Sequence, residues 1–357
     1  MKKRTIVAEI MTSCLLVGGV IYSRVNRTSS DEETISISEE TLEVYFIDVG
    51  QGDSTLIIDQ DEAMLIDGGL PAESQKIYSF LEEKNISHLK YIVATHEDSD
   101  HVGGLSAALE HSSCDEVLVS YTESDNSTYQ TFLSKANEKN VPIKQVNDGD
   151  VYQLNEAKIT VLGPTDIIDG EVNNNSMVFR LDYKNVSFLF TGDAEQMEQQ
   201  LILYNHYDEL NVDVLKVAHH GSYNAASSAW FQAITPKYSV IFCGIDNSYG
   251  HPHDGTLELL KQEDTELYRT DLQGTITCIT DGNTISFTTE KESSQDVWST
   301  GEKESEDSYV LNTRSKKFHR PSCDNVNSIS DKNKEVTEKS REEIINEGYT
   351  PCGKCQP

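Results

Sequence analysis

Positive charge is scarce in this chain. Its 357 residues carry 29 Lys and Arg against 60 Asp and Glu, a formal net charge of −31. A surface of that sign repels polyanions at long range. That excludes a generic basic nucleic-acid-binding module. Long apolar runs are missing as well. The stretch Ile10 to Tyr22 is 13 residues long and mostly apolar, short of the roughly 20 that a bilayer span needs. The multiple long spans of a DNA uptake channel are therefore absent. No internal repeat is present, so repeat architectures are set aside. The seven cysteines are unevenly placed. Cys114, Cys243 and Cys278 stand singly in apolar surroundings and read as small buried hydrophobes.

What the chain does have is unevenly distributed. Residues 1–27 carry +4 and residues 309–357 carry +2, which leaves −37 on residues 28–308. Lys2, Lys3 and Arg4 precede the apolar run, so residues 1–23 read as an export signal, either a cleaved signal peptide or a retained membrane anchor. Cys14 lies inside the run, which argues against a lipoprotein site. Either reading places the bulk of the chain outside the cytoplasm, secreted or anchored to the outer face of the cytoplasmic membrane. Residues 24–41 form a Ser/Thr/Glu-rich linker. A domain over 42–288 follows, then an acidic linker over 289–308 and a small terminal module over 309–357. Within 42–288, short β-branched and aromatic runs alternate with helical spacings. That predicts an α/β core with helices covering sheets.

The richest segment is Thr95-His96-Glu97-Asp98-Ser99-Asp100-His101. It follows the apolar run Leu89 to Ala94, and Gly103-Gly104 come soon after. Two imidazoles and two carboxylates at a strand end can face two adjacent ions. Further candidate ligands also end apolar strands: Asp193 after Phe188-Leu189-Phe190, His219-His220 after Val212 to Ala218, and His251-Pro252-His253 after Tyr249-Gly250. Asp67 in Ile66-Asp67-Gly68-Gly69 is placed to hold a ligand histidine by hydrogen bond. Six of the ten histidines lie in these motifs.

With Phe46 to Ser54 and Asn174-Asn175-Ser176, these motifs resemble the hydrolases of the metallo-β-lactamase fold, and within them the ComEC-like domains of competence proteins. The resemblance spans about residues 42–288. It implies a four-layer αββα sandwich with the site along one edge of its sheets, and two divalent ions, zinc or manganese. The implied metal ligands are His96, Asp98, Asp100, His101, Asp193, His220 and His251. Asp98 stands where the superfamily's second motif usually has histidine, which makes the site richer in oxygen and manganese a plausible ion. The usual third-motif histidine is absent, and Asn174-Asn175-Ser176 falls in that region. Of the pair His219 and His220, the second is favoured as ligand and the first as a contact to phosphate. Asp100, His219 and Asn175 are the candidate catalytic residues, and Asp48, Asp53, Ser54 and Asp67 are expected to support the metal loops. A metal-bridged hydroxide is the expected nucleophile, so no Ser or Cys nucleophile is needed.

In the terminal module His319, Cys323, Cys352 and Cys355 have the character of a closed tetrahedral zinc site. The rivals are a Cys352–Cys355 disulfide, in an oxidising compartment, and unpaired cysteines. The module resembles the small zinc-binding domain of the Ada DNA-repair family, with His319 in place of one cysteine. A structural zinc suits a module too small for a large core. Arg314, Lys316, Lys317, Arg320, Lys332 and Lys334 are candidate nucleic-acid contacts. The expected function is an extracytoplasmic metal-dependent phosphodiesterase whose substrate is DNA or another phosphodiester polymer. The alternatives are a phosphodiesterase acting on phosphorylcholine-bearing or other cell-wall phosphodiesters, and a non-catalytic surface binding protein. The N-terminus is a candidate membrane tether.

Overall fold

Alternation in Leu42-Glu43-Val44-Tyr45-Phe46 predicts a strand with two different faces. A computed structural model shows that strand as β1 (Leu42–Phe46), with Leu42, Val44 and Phe46 in one core and Tyr45 in another. The structure describes residues 40–300 and 309–355, apart from 321–322, 327–328, 338 and 340. The expected export segment over 1–23 and most of the first linker lie outside the described residues.

From β1 the chain runs through β2 (Thr55–Asp59), β3 (Glu62–Ile66), β4 (His88–Ala94), β5 (Ser113–Val119) and β6 (Ile143–Gln145), laid side by side in chain order. Strands β3 to β6 are parallel. Parallel neighbours need crossovers, which here are helical. They are α1 (Ser74–Glu83), α2 (Ser99–Val102) with α3 (Leu105–His111), and α4 (Ser127–Glu138). A second sheet holds β7 (Val151–Leu154), β8 (Ala157–Gly163), β9 (Val178–Tyr183), β10 (Val186–Phe190), β11 (Val214–Lys216), β12 (Tyr238–Ile241) and β13 (Glu266–Arg269), again in chain order. Strands β10 to β13 are parallel. Their crossovers are α5 (Gln196–His206), α6 (Ser228–Ile234) and α7 (Asp254–Gln262). After a single turn, α8 (Thr270–Gln273), the chain returns to the first sheet as β14 (Ile276–Thr280) and β15 (Ile285–Thr289), with β14 paired to β1.

Three apolar clusters fix the layering. Phe46, Ile57, Val93, Phe179, Phe188 and Phe190 meet between the sheets. Ile77, Leu81, Leu105 and Phe132 of α1, α3 and α4 cover the outer face of the first sheet. Ile202, Trp230, Phe231 and Leu260 of α5, α6 and α7 cover the second. The result is the four-layer αββα sandwich. Cys243 and Cys278 are fully buried, and burial pushes both thiols up, which suits packing rather than reactivity.

Two strands carry a weak sequence signal, and one segment differs from expectation. Strands β7 and β13 are the two edges of the second sheet. Edges carry polar and charged residues that weaken the apolar signal, and β7 exposes Val151 while β13 includes Glu266 and Arg269. The linker expected over 289–308 is not solvated throughout. Val297 and Trp298 pack on the outer core of the second sheet. The wholly buried Arg269 clamps this segment. Its Nη2 lies 2.7 Å from Asp271 Oδ2, and Nη1 donates to the carbonyls of Val297 (3.0 Å) and Ser299.

The terminal module has a four-stranded sheet of β16 (Tyr309–Asn312), β17 (Lys317–His319), β18 (Lys334–Thr337) and β19 (Thr350–Pro351), in the order β18-β16-β17-β19. Ile344 of α9 (Arg341–Asn346) packs with Tyr309, Leu311, Phe318 and Tyr349. The module belongs to the same compact unit as the sandwich.

Replacing Arg269 by Met leaves Asp271 buried without its partner, at a cost of about 3–5 kcal/mol. Urea unfolding will measure that loss. Limited proteolysis will report cleavage within residues 296–300, the segment the guanidinium holds.

Candidate metal centre

Ligands gather where parallel strands end, because the crossover loops leave a crevice at the carboxyl edge. Asp67 follows β3, His96 to His101 follow β4, Asp193 follows β10, His219 and His220 follow β11, and His251 lies beyond β12. The turn between β1 and β2 joins them through Asp53, whose N–H donates to the Asp100 carbonyl at 3.2 Å. Gly52 makes this approach possible. Its φ is +156° and a Cβ there would lie 2.4 Å from the Asp100 oxygen.

Asp67 is buried and accepts three hydrogen bonds: from the Thr95 N–H (2.9 Å), the Thr95 hydroxyl (2.7 Å) and His101 Nδ1 (2.8 Å). Ser54 Oγ in turn donates to the Asp67 carbonyl at 3.0 Å. His101 is thereby oriented with Nε2 3.3 Å from Asp193 Oδ1. The other oxygen of Asp193 faces His220 Nε2 at 3.5 Å and His219 Nε2 at 3.8 Å. His220 Nε2 is also 3.2 Å from Asp100 Oδ2, while its Nδ1 lies 3.1 Å from the Phe242 carbonyl. A carbonyl only accepts, so Nδ1 carries a hydrogen, and Nε2 is the nitrogen whose lone pair a bound cation would take in place of a proton. Each oxygen of Asp193 therefore addresses a different histidine group.

The backbone at His219-His220 is strained to achieve this. Both residues have left-handed φ, +49° and +54°, ahead of Gly221 at +81°. Consecutive non-glycine residues in that region are uncommon and concentrate at functional sites.

The electrostatics have one theme. Burial would raise Asp193, but His101, His220 and His219 hold it well below the usual carboxylate range. The same balance, dominated among charges by His220 and His101, lowers Asp100. Burial works against charge on His101 and His220, yet the surrounding carboxylates raise both, His220 to about 10. Protons on these rings neutralise the same carboxylates that a cation would. A divalent ion fits the space on independent grounds. His96 Nε2, His101 Nε2 and Asp193 Oδ1 are buried without a hydrogen-bond partner. Those three residues bring ligand atoms within 4.8 Å of one another, as do Asp53, His101 and His220. Native folds rarely leave several such atoms orphaned together.

The other expected residues divide. Asp98 Oδ2 stands 3.6 Å from His96 Nε2 with its side chain partly exposed. His251 is buried, with its ring 5.9 Å from that of His220, yet it belongs to neither ligand group. Its Nδ1 lies 3.3 Å from Gln51 Nε2, and Gln51 Oε1 already accepts from the Gly244 N–H, so the amide nitrogen donates. A neutral ring so held keeps its hydrogen on Nε2 and offers a donor, unlike the ligand expected. Burial, then the neighbouring histidines, keep His251 neutral. Asn175 is a correction. Its amide is consumed by the Ile168 backbone, accepting at 2.7 Å and donating at 2.8 Å. Asn173, two residues earlier on the same short 3-10 turn, lines the cavity that His219 lines. Asp48 is also a correction: it closes its own turn by accepting from the Gly50 N–H at 3.1 Å, and lies toward Lys291.

Three further residues were given no role in the site from the sequence. Lys216 is buried, pairs with Asp53 and donates to the Gly192 carbonyl at 2.7 Å. A lysine inside the apolar run Val212 to Ala218 was the available signal. Glu195 lies 3.2 Å from His219 Nδ1, and Gln51 fixes His251.

In the terminal module, the parallel pairing of β17 with β19 brings His319 and Cys352 together. His319, Cys323, Cys352 and Cys355 are all buried, with ligand atoms within 4.8 Å of one another. Burial raises Cys352, but amide donors, first the Cys355 N–H and then the Asn325 side chain, lower it to about 7. A four-donor S₃N set fits a tetrahedral zinc, whereas a disulfide would use only two of the donors.

A mixed αββα sandwich with histidines and aspartates at one edge defines a metallo-hydrolase. The chain belongs to the metallo-β-lactamase superfamily, whose family description matches residues 47–245. It is 32% identical over 252 residues to ComE operon protein 3 of Bacillus subtilis, covering 66% of this chain and 32% of that protein. It is 27% identical over 246 residues to Recombination protein 2 of Haemophilus influenzae, covering 67% and 29%. With Competence protein ComA of Neisseria gonorrhoeae it shares 25% over 263 residues, covering 73% and 34%. These are proteins of the ComEC family, and the chain spans about a third of the length of each.

Asp67→Asn removes the acceptor that orients His101. Divalent-ion affinity should fall about 10–100-fold, measured by competition with a chromophoric chelator, while circular dichroism stays that of the native fold. Asn175→Ala should lower the melting temperature and spare metal affinity, because its amide ties down the loop at Ile168.

Proposed function

We propose that the chain is an extracytoplasmic metal-dependent phosphodiesterase that hydrolyses DNA. The observation that carries this reading is the buried Asp193 carboxylate, which turns one oxygen to each of two histidine groups. His96, His101 and Asp193 Oδ1, with Asp98 beside them, would hold one divalent ion, zinc or manganese. Asp100, His220 and Asp193 Oδ2 would hold the other. Bound ions there supply Lewis acidity toward phosphoryl oxygens and a water made nucleophilic at neutral pH. The chain's own residues do the rest. Asp67 fixes the His101 tautomer, Lys216 balances Asp53, and the strained His219-His220 turn aims two rings from one loop. His251 Nε2–H is a donor for a non-bridging oxygen. Exposure of Asp98 leaves a way in from solvent.

DNA is favoured because the similar proteins carry competence and recombination in their names. The basic-then-apolar N-terminal pattern supports an extracytoplasmic location. A second reading has its own support. The net charge of −31 favours a less densely charged polymer, such as a phosphorylcholine-bearing or other cell-wall phosphodiester.

Purified full chain, loaded with manganese or zinc, should cleave single- and double-stranded DNA and the chromogenic diester bis(p-nitrophenyl) phosphate. Asp193→Ala or His220→Ala should lower kcat/KM by about 10³-fold, roughly 4 kcal/mol of transition-state stabilisation. Cleavage of wall polymer with DNA left intact would replace the first reading by the second. A loaded protein that cleaves no diester would remove both.

A further inference from the structure

The sandwich alone does not complete the site. Above the histidines lies a cavity of about 520 Å³ with walls from two parts of the chain. His219, His251 and His253 line it on the hydrolase side, and Arg320, Lys354 and Cys355 on the side of the terminal module. Its volume is that of a pocket for a small ligand or a short piece of a polymer.

The module is held there by the loop that carries the metal-facing histidine. Tyr223 comes three residues after His220. Its hydroxyl donates to the Lys354 carbonyl, between Cys352 and Cys355 of the knuckle. Its own N–H donates to His253 Nδ1 at 3.1 Å, and the two rings lie 4.9 Å apart. A carbonyl only accepts, so the Tyr223 hydroxyl is the donor in its bond to Lys354. Arg320 lines the same cavity as His253. With Nδ1 accepting, neutral His253 keeps its hydrogen on Nε2. The acid on this wall, Glu195, is already engaged by His219, Asn173 and Asn224.

We propose that the Cys/His knuckle is the outer wall of the substrate cleft, and that Arg320 and Lys354 bind the phosphates flanking the scissile diester. This rests on the phosphodiesterase reading above and extends it to the substrate class: a polymer with anionic groups on both sides of the cleaved bond. The rest of the chain is strongly acidic, so cations placed at the mouth decide where a polyanion can settle. The zinc expected in the knuckle then orders a binding surface as well as a small core.

The test uses the full chain, the double variant Arg320→Gln/Lys354→Gln, and Tyr223→Phe, which releases the knuckle with both charges kept. Zinc content and circular dichroism confirm that each is folded. Steady-state cleavage of a short oligothymidylate is followed across salt concentrations. In the double variant KM should rise about tenfold. The slope of log(kcat/KM) against log[salt] should flatten by about 0.7 for each phosphate of the single strand that is no longer neutralised. Bis(p-nitrophenyl) phosphate has no flanking phosphate and should lose less. Tyr223→Phe should raise KM for the oligomer in the same direction. A merely structural role would lower the melting temperature without moving the salt slope. If the wild type cleaves the oligomer and the double variant keeps its KM and slope, the wall proposal is overturned while the phosphodiesterase reading stands. If the wild type cleaves neither substrate, the phosphodiesterase reading fails and the wall proposal with it.

Discussion

Crowded negative charge is the constraint on which this molecule depends. Asp53, Asp67 and Asp193 are buried side by side, and Asp100 adjoins them. Ionised carboxylates out of water are costly unless compensated. The chain brings one buried ammonium to them, that of Lys216, and a set of imidazoles. Without a cation the imidazoles must take protons, which is why His101 and His220 are raised against the pull of burial. Divalent cations relieve the same field without protonating the rings. Much of the surrounding structure follows from holding these groups together: the close glycine at position 52, the triple acceptor Asp67 and the left-handed pair His219-His220.

Topology makes the crowding possible. Each half of the sandwich contributes a parallel set of strands, and the candidate ligands other than Asp53, which lies in the β1–β2 turn, follow the carboxyl ends of these strands. Two sheets packed on Phe46, Phe179, Phe188 and Phe190 set these ends opposite each other. Ligands about a hundred residues apart, such as Asp100 and His220, then meet at hydrogen-bonding distance. A single sheet edge would gather one half of the set. The second layer is what allows Asp193, from one sheet, to stand between His101 of the other and His220 of its own.

The sequence made the fold and most of the ligand positions legible because both rest on local signals. Buried strands announce themselves as apolar runs, and a His or Asp directly after such a run has few other reasons to be there. Edge strands β7 and β13 lacked that signal, since half of each faces solvent. The asparagine run was ambiguous for a geometric reason: on a 3-10 turn three adjacent amides point three ways, and Asn173 rather than Asn175 turns inward. His251 could not be sorted from its motif. Its role turns on which nitrogen carries hydrogen, and that is set by Gln51, two hundred residues away. Lys216 was visible as a charge in an apolar strand, but its partner Asp53 sits on the other sheet.

The terminal module gains a physical rationale from the charge of the rest. Residues 28–308 carry −37, so for the proposed phosphodiester substrate, ions at the site would neutralise one phosphate only. The neighbouring phosphates of a polymer would still face an acidic surface. A short zinc-stapled element can set two cations at the mouth without changing the acidic body, because four ligands replace the core a module of this size cannot build. The hold of Tyr223 on the knuckle links that element to the loop bearing His219 and His220. On the proposed reading, one strained turn would place both the metal site and the polymer grip. Any movement of that turn would alter both together.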